Sequence, residues 1–248
     1  MFIKNLKLFN FKNHSEKSFD FSPEINCFVG NNGAGKTNIL DALHYLSMAK
    51  SFLGNLDAQN ILHESDFFAI EAEIQGEEKN DIIKVQLPKE GKKIIKKNDK
   101  TYERIADHIG FLPSVMISPY DSNLISDGSE SRRKFLDAMI SQTDSDYLFA
   151  LIQYQKTLQQ RNALLKYFAK NRTFDLDSLE IYNEPLTKFG TQIFEKRQRF
   201  VASILPTIQH FYEIISKGNE KVTVIYESNL NEQNFEEILS ENLEKDRV

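Results

Sequence analysis

Residues Gly30 to Thr37 read Gly-Asn-Asn-Gly-Ala-Gly-Lys-Thr, a glycine, four residues and then Gly-Lys-Thr. This spacing constrains the fold because it requires a strand before it and a helix after it. Ile25-Asn26-Cys27-Phe28-Val29 supplies a short, mostly apolar run, predicted as a buried strand. Behind the loop, Thr37 to Leu46 carries Ile39, Leu43 and Leu46 at helical spacing. The glycines let the backbone curl so that successive amides converge on an anion, and the helix N-terminus adds its partial positive charge. The candidate nucleotide-binding residues are Gly30, Asn31, Asn32, Gly33, Ala34, Gly35, Lys36, Thr37 and Asn38. Lys36 is assigned to the β- and γ-phosphates and the Thr37 hydroxyl to Mg²⁺. A glycine turn that merely caps a helix is the plain alternative.

At 248 residues the chain can bury a sizeable core, either as one large domain or as a domain with an insertion. Its net charge of −5 means that nucleic acid would be met by local patches or by a surface shared with another chain. No apolar stretch approaches a membrane span, and the N-terminus starts in strand-like alternation without the regions of a signal peptide. The single cysteine, Cys27, excludes an internal disulfide and is expected as a buried apolar residue. Together these point to the cytoplasm and to no membrane partner. The five histidines have no Cys or acid partners at metal spacing, and no nucleophile–base constellation is present.

An N-terminal hairpin is predicted from the alternation of Phe2 to Phe11 and the run ending at Phe19 and Phe21. Runs at Phe68–Ile74, Ile82–Leu87 and Lys93–Lys96 predict an antiparallel meander, and Pro113 to Ser118 a further buried strand. Beyond Asp144 the period changes. Tyr147, Leu151, Tyr154, Leu158, Arg161, Leu165 and Phe168 define one long helix; Leu179, Tyr182, Leu186, Phe189, Ile193, Lys196 and Phe200 define a second. Joined by a short connection, they should fold back as an antiparallel pair. Arg161 and Lys196 interrupt its apolar seam, so the seam packs intermittently or opens onto another element. Pro185 predicts a kink or restart. A last strand is expected at Val222 to Tyr226, followed by an acidic helix.

The extended motif Gly30 to Ala42, with Asn38, the apolar pair Ile39-Leu40 and then Asp41, resembles the SMC-like branch of the ABC ATPases. Three further stretches narrow the likeness: Leu8-Phe9-Asn10-Phe11-Lys12-Asn13-His14; Ile117-Ser118-Pro119-Tyr120-Asp121 with Arg132-Arg133-Lys134-Phe135-Leu136-Asp137; and Tyr154 to Leu164 with Gln159-Gln160-Arg161-Asn162-Ala163-Leu164. Together they resemble the RecF family along the whole chain. The resemblance implies an α/β fold: a P-loop ABC-type ATPase head, with a mixed sheet containing an antiparallel β meander, and an inserted antiparallel helical arm. The expected division is a head lobe over 1–118, the arm over 119–217, and a return toward the head over 218–248.

Such proteins continue with a Ser-Gly-Gln-type signature and a Walker B strand ending in paired acids, and neither pattern occurs here. The chain is therefore expected to be an N-terminal portion of about two thirds, with no catalytic residue of its own. The resemblance implies a weak ATPase whose turnover needs those motifs, with ATP and Mg²⁺ as cofactors and ATP-dependent homodimerisation of the full-length protein. It also implies binding to single- and double-stranded DNA at gaps, and work with RecR and RecO to load a recombinase in repair, replication restart and the SOS response. An SMC-like ATPase head of a defence or nuclease system is the second reading, and a structural remnant the third. Lys50-Ser51-Phe52-Leu53 departs from the family, which usually has an Arg there. Asp121 is either a γ-phosphate sensor or an N-terminal helix cap. Lys92, Lys93, Lys96, Lys97 and Lys100, in the densest basic cluster, are either a DNA-tracking edge or lysines protecting a strand edge. Arg132, Arg133 and Lys134 either form a smaller patch or pair with Asp127 and Glu130.

Overall fold

The computed structural model describes residues 1–54 and 56–246, so the last two positions of the expected 218–248 segment lie outside it. The chain divides into two compact units, Met1–Asp127 and Gly128–Val248.

In the first unit, alternation of apolar and polar residues builds one sheet. Its strands are β1 (Phe2–Phe11), β2 (His14–Asp20), β3 (Phe67–Gln75), β4 (Asn80–Pro88), β5 (Ile94–Lys97) and β6 (Lys100–Thr101). The order is β2-β1-β3-β4-β5-β6. Every pairing among these strands is antiparallel, so the parallel component of the expected mixed sheet is not among them. Leu6 and Leu8, Phe68, Ile70, Ala72 and Ile74, then Ile83, Val85 and Leu87 all point to one face. Helix α1 (Lys36–Met48) covers that face with Ile39, Ala42, Tyr45 and Leu46. Phe11, Tyr45 and Phe68 meet edge to face at 5.2 to 6.1 Å, a preferred aromatic geometry. His108 is fully buried, with its Nε2 2.6 Å from the Leu46 carbonyl oxygen, and burial lowers its pKa.

Three apolar segments predicted as strands are not strands. Residues 25–29, 113–118 and 222–226 carry no regular structure, and Ile25, Val29, Val115, Ile117 and Ile225 are exposed. Cys27 is likewise exposed rather than buried. Apolar content makes a strand only where a neighbouring strand supplies backbone partners, and no described strand pairs with these segments.

In the second unit, after the short α2 (Asn123–Ser126) that ends the first, come α3 (Ser129–Ser141), α4 (Ser145–Asn171), α5 (Leu176–Ser216) and α6 (Phe235–Asp246). Asp144 and Asp175 cap α4 and α5, each accepting a backbone N–H. Their pairing is antiparallel: Tyr147 meets Arg197 near the start of α4, whereas Arg161 meets Asn183 further along. The helix α5 runs through Pro185 and Pro206 without a restart. The packed apolar seam, with Leu179, Leu186 and Ile193 buried, holds the helix together where proline removes a backbone donor. The two polar interruptions of that seam are both paired. Arg161 reaches Asp246 of α6 at 2.8 Å, and Lys196 holds Asp144 at 2.7 Å. The acidic helix predicted near the C-terminus is α6. Gly190 lets it approach, since a Cβ there would lie 2.3 Å from the Phe235 ring.

Candidate functional site

The curl of the glycine loop ends at Gly35. Its φ of +93° lies in the left-handed region, and a Cβ would stand 2.5 Å from the His14 ring and 2.7 Å from Asn13 Oδ1. Both the conformation and the close approach therefore require glycine. Gly35 also occupies the N-cap of α1, where no side chain caps the helix and no acid sits in its first turn. The first amides of α1 are thus left for an outside acceptor, as an anion site requires.

Gly30, Asn31, Asn32, Gly33, Ala34 and Thr37 are exposed, while Gly35, Lys36 and Asn38 are half-buried. The Lys36 ammonium donates to the carbonyls of Gly30 and Asn31 at 2.8 and 2.9 Å, and so folds onto the loop it belongs to. Asn38 donates from Nδ2 to Asn13 Oδ1 at 2.7 Å. An exposed curled loop, an uncapped helix end and a flexible ammonium fit a phosphate group. Among the described residues no group of three or more His, Cys, Asp or Glu could hold a metal by itself. A divalent ion here would need the nucleotide's own oxygens beside the Thr37 hydroxyl.

Behind the loop, the two-residue turn Lys12-Asn13 joins β1 to β2 with Lys12 at φ +54°. This conformation is disfavoured for a residue with a Cβ. Lys12 is held there by Asp41 of α1, 2.6 Å from its Nζ. Asp41 is fully buried and also accepts from Ser51 Oγ at 2.8 Å and the Phe52 amide at 2.7 Å. The acid of the extended loop motif is therefore an anchor. It ties the strand turn, the helix and the segment after the helix together. Periodicity carried no signal for this pair, nor for Asn13 and His14.

The basic hairpin separates by strand alternation. Lys93 turns inward: it pairs with Asp57 at 2.7 Å, donates to the Ala49 carbonyl and lies 4.9 Å from the Tyr45 ring centre. Lys97 pairs with Asp81 at 3.1 Å and lies 3.6 Å over the Phe111 ring. Lys92 and Lys100 are exposed and Lys96 half-buried. Asp121 closes a capping box: its carboxylate accepts from the Ser118 amide and hydroxyl at 3.0 and 3.2 Å, with Ser118 itself as the cap. In the second unit, Lys134 pairs with Glu130 and Arg133 donates to Ser129.

The family model described as the RecF/RecN/SMC N terminal domain matches residues 2–226. A Flavobacterium johnsoniae protein named DNA replication and repair protein RecF is 51% identical over the whole chain, which covers 69% of that relative. One of the same name from Phocaeicola vulgatus is 44% identical, with 66% of it covered. The solved structure described as the recombination mediator protein RecF-ATPrS in the RecFOR pathway superposes with a TM-score of 0.92 at 30% identity. It covers 99% of this chain and 68% of its own. The corresponding RecF-ATP structure gives a TM-score of 0.89 at the same identity, again over 99% and 68% of the two chains. The chain thus spans about two thirds of the length of the relatives it matches.

Proposed function

This chain belongs to the RecF/RecN/SMC N-terminal domain family, and within it to the RecF group; from that membership we propose that it is an ATP-dependent DNA-binding protein of replication and repair. The observation that carries the proposal is the loop from Gly30 to Thr37, curled ahead of an uncapped helix, with Lys36 poised on its own carbonyls. ATP supplies the phosphate oxygens that the amides of α1 and the Lys36 ammonium bind. Lys36 exchanges its bonds to Gly30 and Asn31 for bonds to the β- and γ-phosphates. The exposed Thr37 hydroxyl would help hold Mg²⁺ beside the nucleotide's own oxygens. Relatives of this name over the entire chain favour this reading over a head from a defence or nuclease system. Dimerisation on ATP, engagement of gapped single- and double-stranded DNA with RecR and RecO, and a cytoplasmic place of work belong to the same proposal. No described helix is long and apolar enough to cross a membrane.

The test is DNA binding with and without ATP, comparing wild type with Lys36→Ala. Loss of a charge-assisted contact of this kind should weaken ATP binding by about tenfold to a hundredfold, and remove the effect of ATP on dimerisation and DNA affinity. Unchanged ATP affinity in Lys36→Ala would reject the reading.

For the DNA contacts we propose the outward lysines, Lys92, Lys96 and Lys100, because Lys93 and Lys97 are engaged inside the unit. Converting the three to glutamine should reduce the slope of log affinity against log salt by up to about 2–3. Lys93→Gln and Lys97→Gln should lower stability instead. An unchanged slope in the triple variant would return the hairpin to the role of a protected strand edge.

A further inference from the structure

The turn between β1 and β2 aims two polar side chains at the back of the loop. Asn13 donates from Nδ2 to the Gly33 carbonyl, and the buried His14 has its Nε2 at the Gly35 carbonyl, both at 3.2 Å. Because a carbonyl can only accept, Nε2 of His14 must carry the proton. We propose that Asn13 and His14 are positioning residues that keep the phosphate loop in its anion-binding form once Lys36 has left it. The inference rests on the nucleotide reading of that loop.

An ammonium has three donors, and two of those on Lys36 are spent on Gly30 and Asn31. Reaching phosphates releases both carbonyls, just when the loop must be ordered. The tethers that remain are the Asn13 and His14 bonds, the Ala34 amide bond to the Asn31 carbonyl at 3.2 Å and the Ile39 amide bond to the Gly35 carbonyl at 3.1 Å. A trans peptide carries its C=O and N–H on opposite sides. His14 from behind and the Ile39 amide from within α1 together hold the Gly35 carbonyl, and so fix the direction of the Lys36 N–H, one of the free amides at the start of α1. Asn13 also accepts from Asn38, so one side chain couples the loop to the first turn of the helix. The absent Cβ of Gly35 is the space into which these two side chains fit. Ordering the loop before binding removes an entropic cost from the binding step.

The experiment is the affinity of the intact chain for a fluorescent ATP analogue with Mg²⁺, with the nucleotide-free melting midpoint read in parallel. Asn13→Asp keeps the shape and the acceptor for Asn38 but loses the donor to Gly33. His14→Ala loses the donor to Gly35. Each should weaken binding by about tenfold. For Asn13→Asp the midpoint should stay near that of wild type, because Asn13 is exposed. His14→Gln, which retains an N–H donor, should recover most of the affinity lost in His14→Ala. If His14→Ala does not fold, Asn13→Asp carries the test alone. Binding within twofold of wild type in Asn13→Asp, while Lys36→Ala loses binding, would overturn the inference and leave the nucleotide reading intact. Wild-type affinity in Lys36→Ala would remove the nucleotide reading, and this inference with it.

Discussion

Replacing Asp41 with alanine should destabilise the first unit by about 3–5 kcal/mol, the cost of removing one partner from a buried ion pair. The carboxylate is fully buried, and its partner Lys12 has a side chain only 9% exposed. Without Asp41, the Lys12 charge is stranded beside the core in a backbone conformation that the ion pair had held. The Ser51 hydroxyl and Phe52 amide lose their acceptor as well. Asp41→Asn, which keeps an acceptor but no charge, should fall between alanine and wild type. The double variant Lys12→Met, Asp41→Leu should recover much of the loss, because an apolar pair leaves no charge without a partner. Hydrogen exchange of the β1, β3 and α1 amides reads this out unit by unit, which a single denaturation curve for a two-unit chain does not. A loss under about 1 kcal/mol in Asp41→Ala would show that water reaches Lys12 and that the pair is not a buried anchor. Because Asp41 lies on the helix that starts at the loop, nucleotide affinity should fall together with stability.

Asp137→Ala should cost the second unit about 3 kcal/mol. Asp137 accepts from Arg197 through Nε at 2.9 Å and Nη2 at 2.7 and 2.9 Å, and also from the Tyr147 hydroxyl. Burial opposes the charge on Arg197, yet its pKa is raised because the Asp137 carboxylate and neighbouring hydroxyls favour the charged form. Burial and the bond to Asp137 raise the pKa of Tyr147, so its hydroxyl stays a donor. Removing the carboxylate therefore leaves a confined guanidinium and a fully buried phenol without their acceptor. The hinge of the effect is that α3, α4 and α5 meet at this one group. Tyr147→Phe, which removes only the hydroxyl, should cost about 1 kcal/mol. Exchange protection at the start of α4 and in the middle of α5 should drop in Asp137→Ala and barely move in Tyr147→Phe. Equal protection in both variants would mean that packing, not the charge network, holds the three helices.

Much of this protein is legible from local pattern. The hairpin, the meander and α1 follow from periods of two and 3.6, because the inward face of each element must be apolar. The helices α4 and α5 were legible for the same reason, as was their antiparallel return across a four-residue connection. The glycine loop from Gly30 to Thr37 stands out in the sequence because its proposed chemistry needs particular residues at particular steps along one stretch of backbone. The apolar runs at 25–29, 113–118 and 222–226 misled because apolar content reports a tendency toward burial, whereas a strand also needs a neighbour. Pro185 does not restart the helix, since α5 continues through it. The rule that proline breaks a helix weighs one lost hydrogen bond and a clash, and not the packed seam on either side.

The residues alone thus determined the N-terminal hairpin, the meander, α1 and the pair α4 and α5, since these depend on neighbours within a few positions. Only the tertiary structure decided which polar groups meet across the chain. Lys12 finds Asp41, Asn13 and His14 find Gly33 and Gly35, Lys93 finds Asp57, and Arg197 finds Asp137. The physical reason is that a charge or a hydrogen-bonding group carries no periodic mark of its partner. Its pairing is set by where the packed apolar faces leave it, and that is a property of the whole fold.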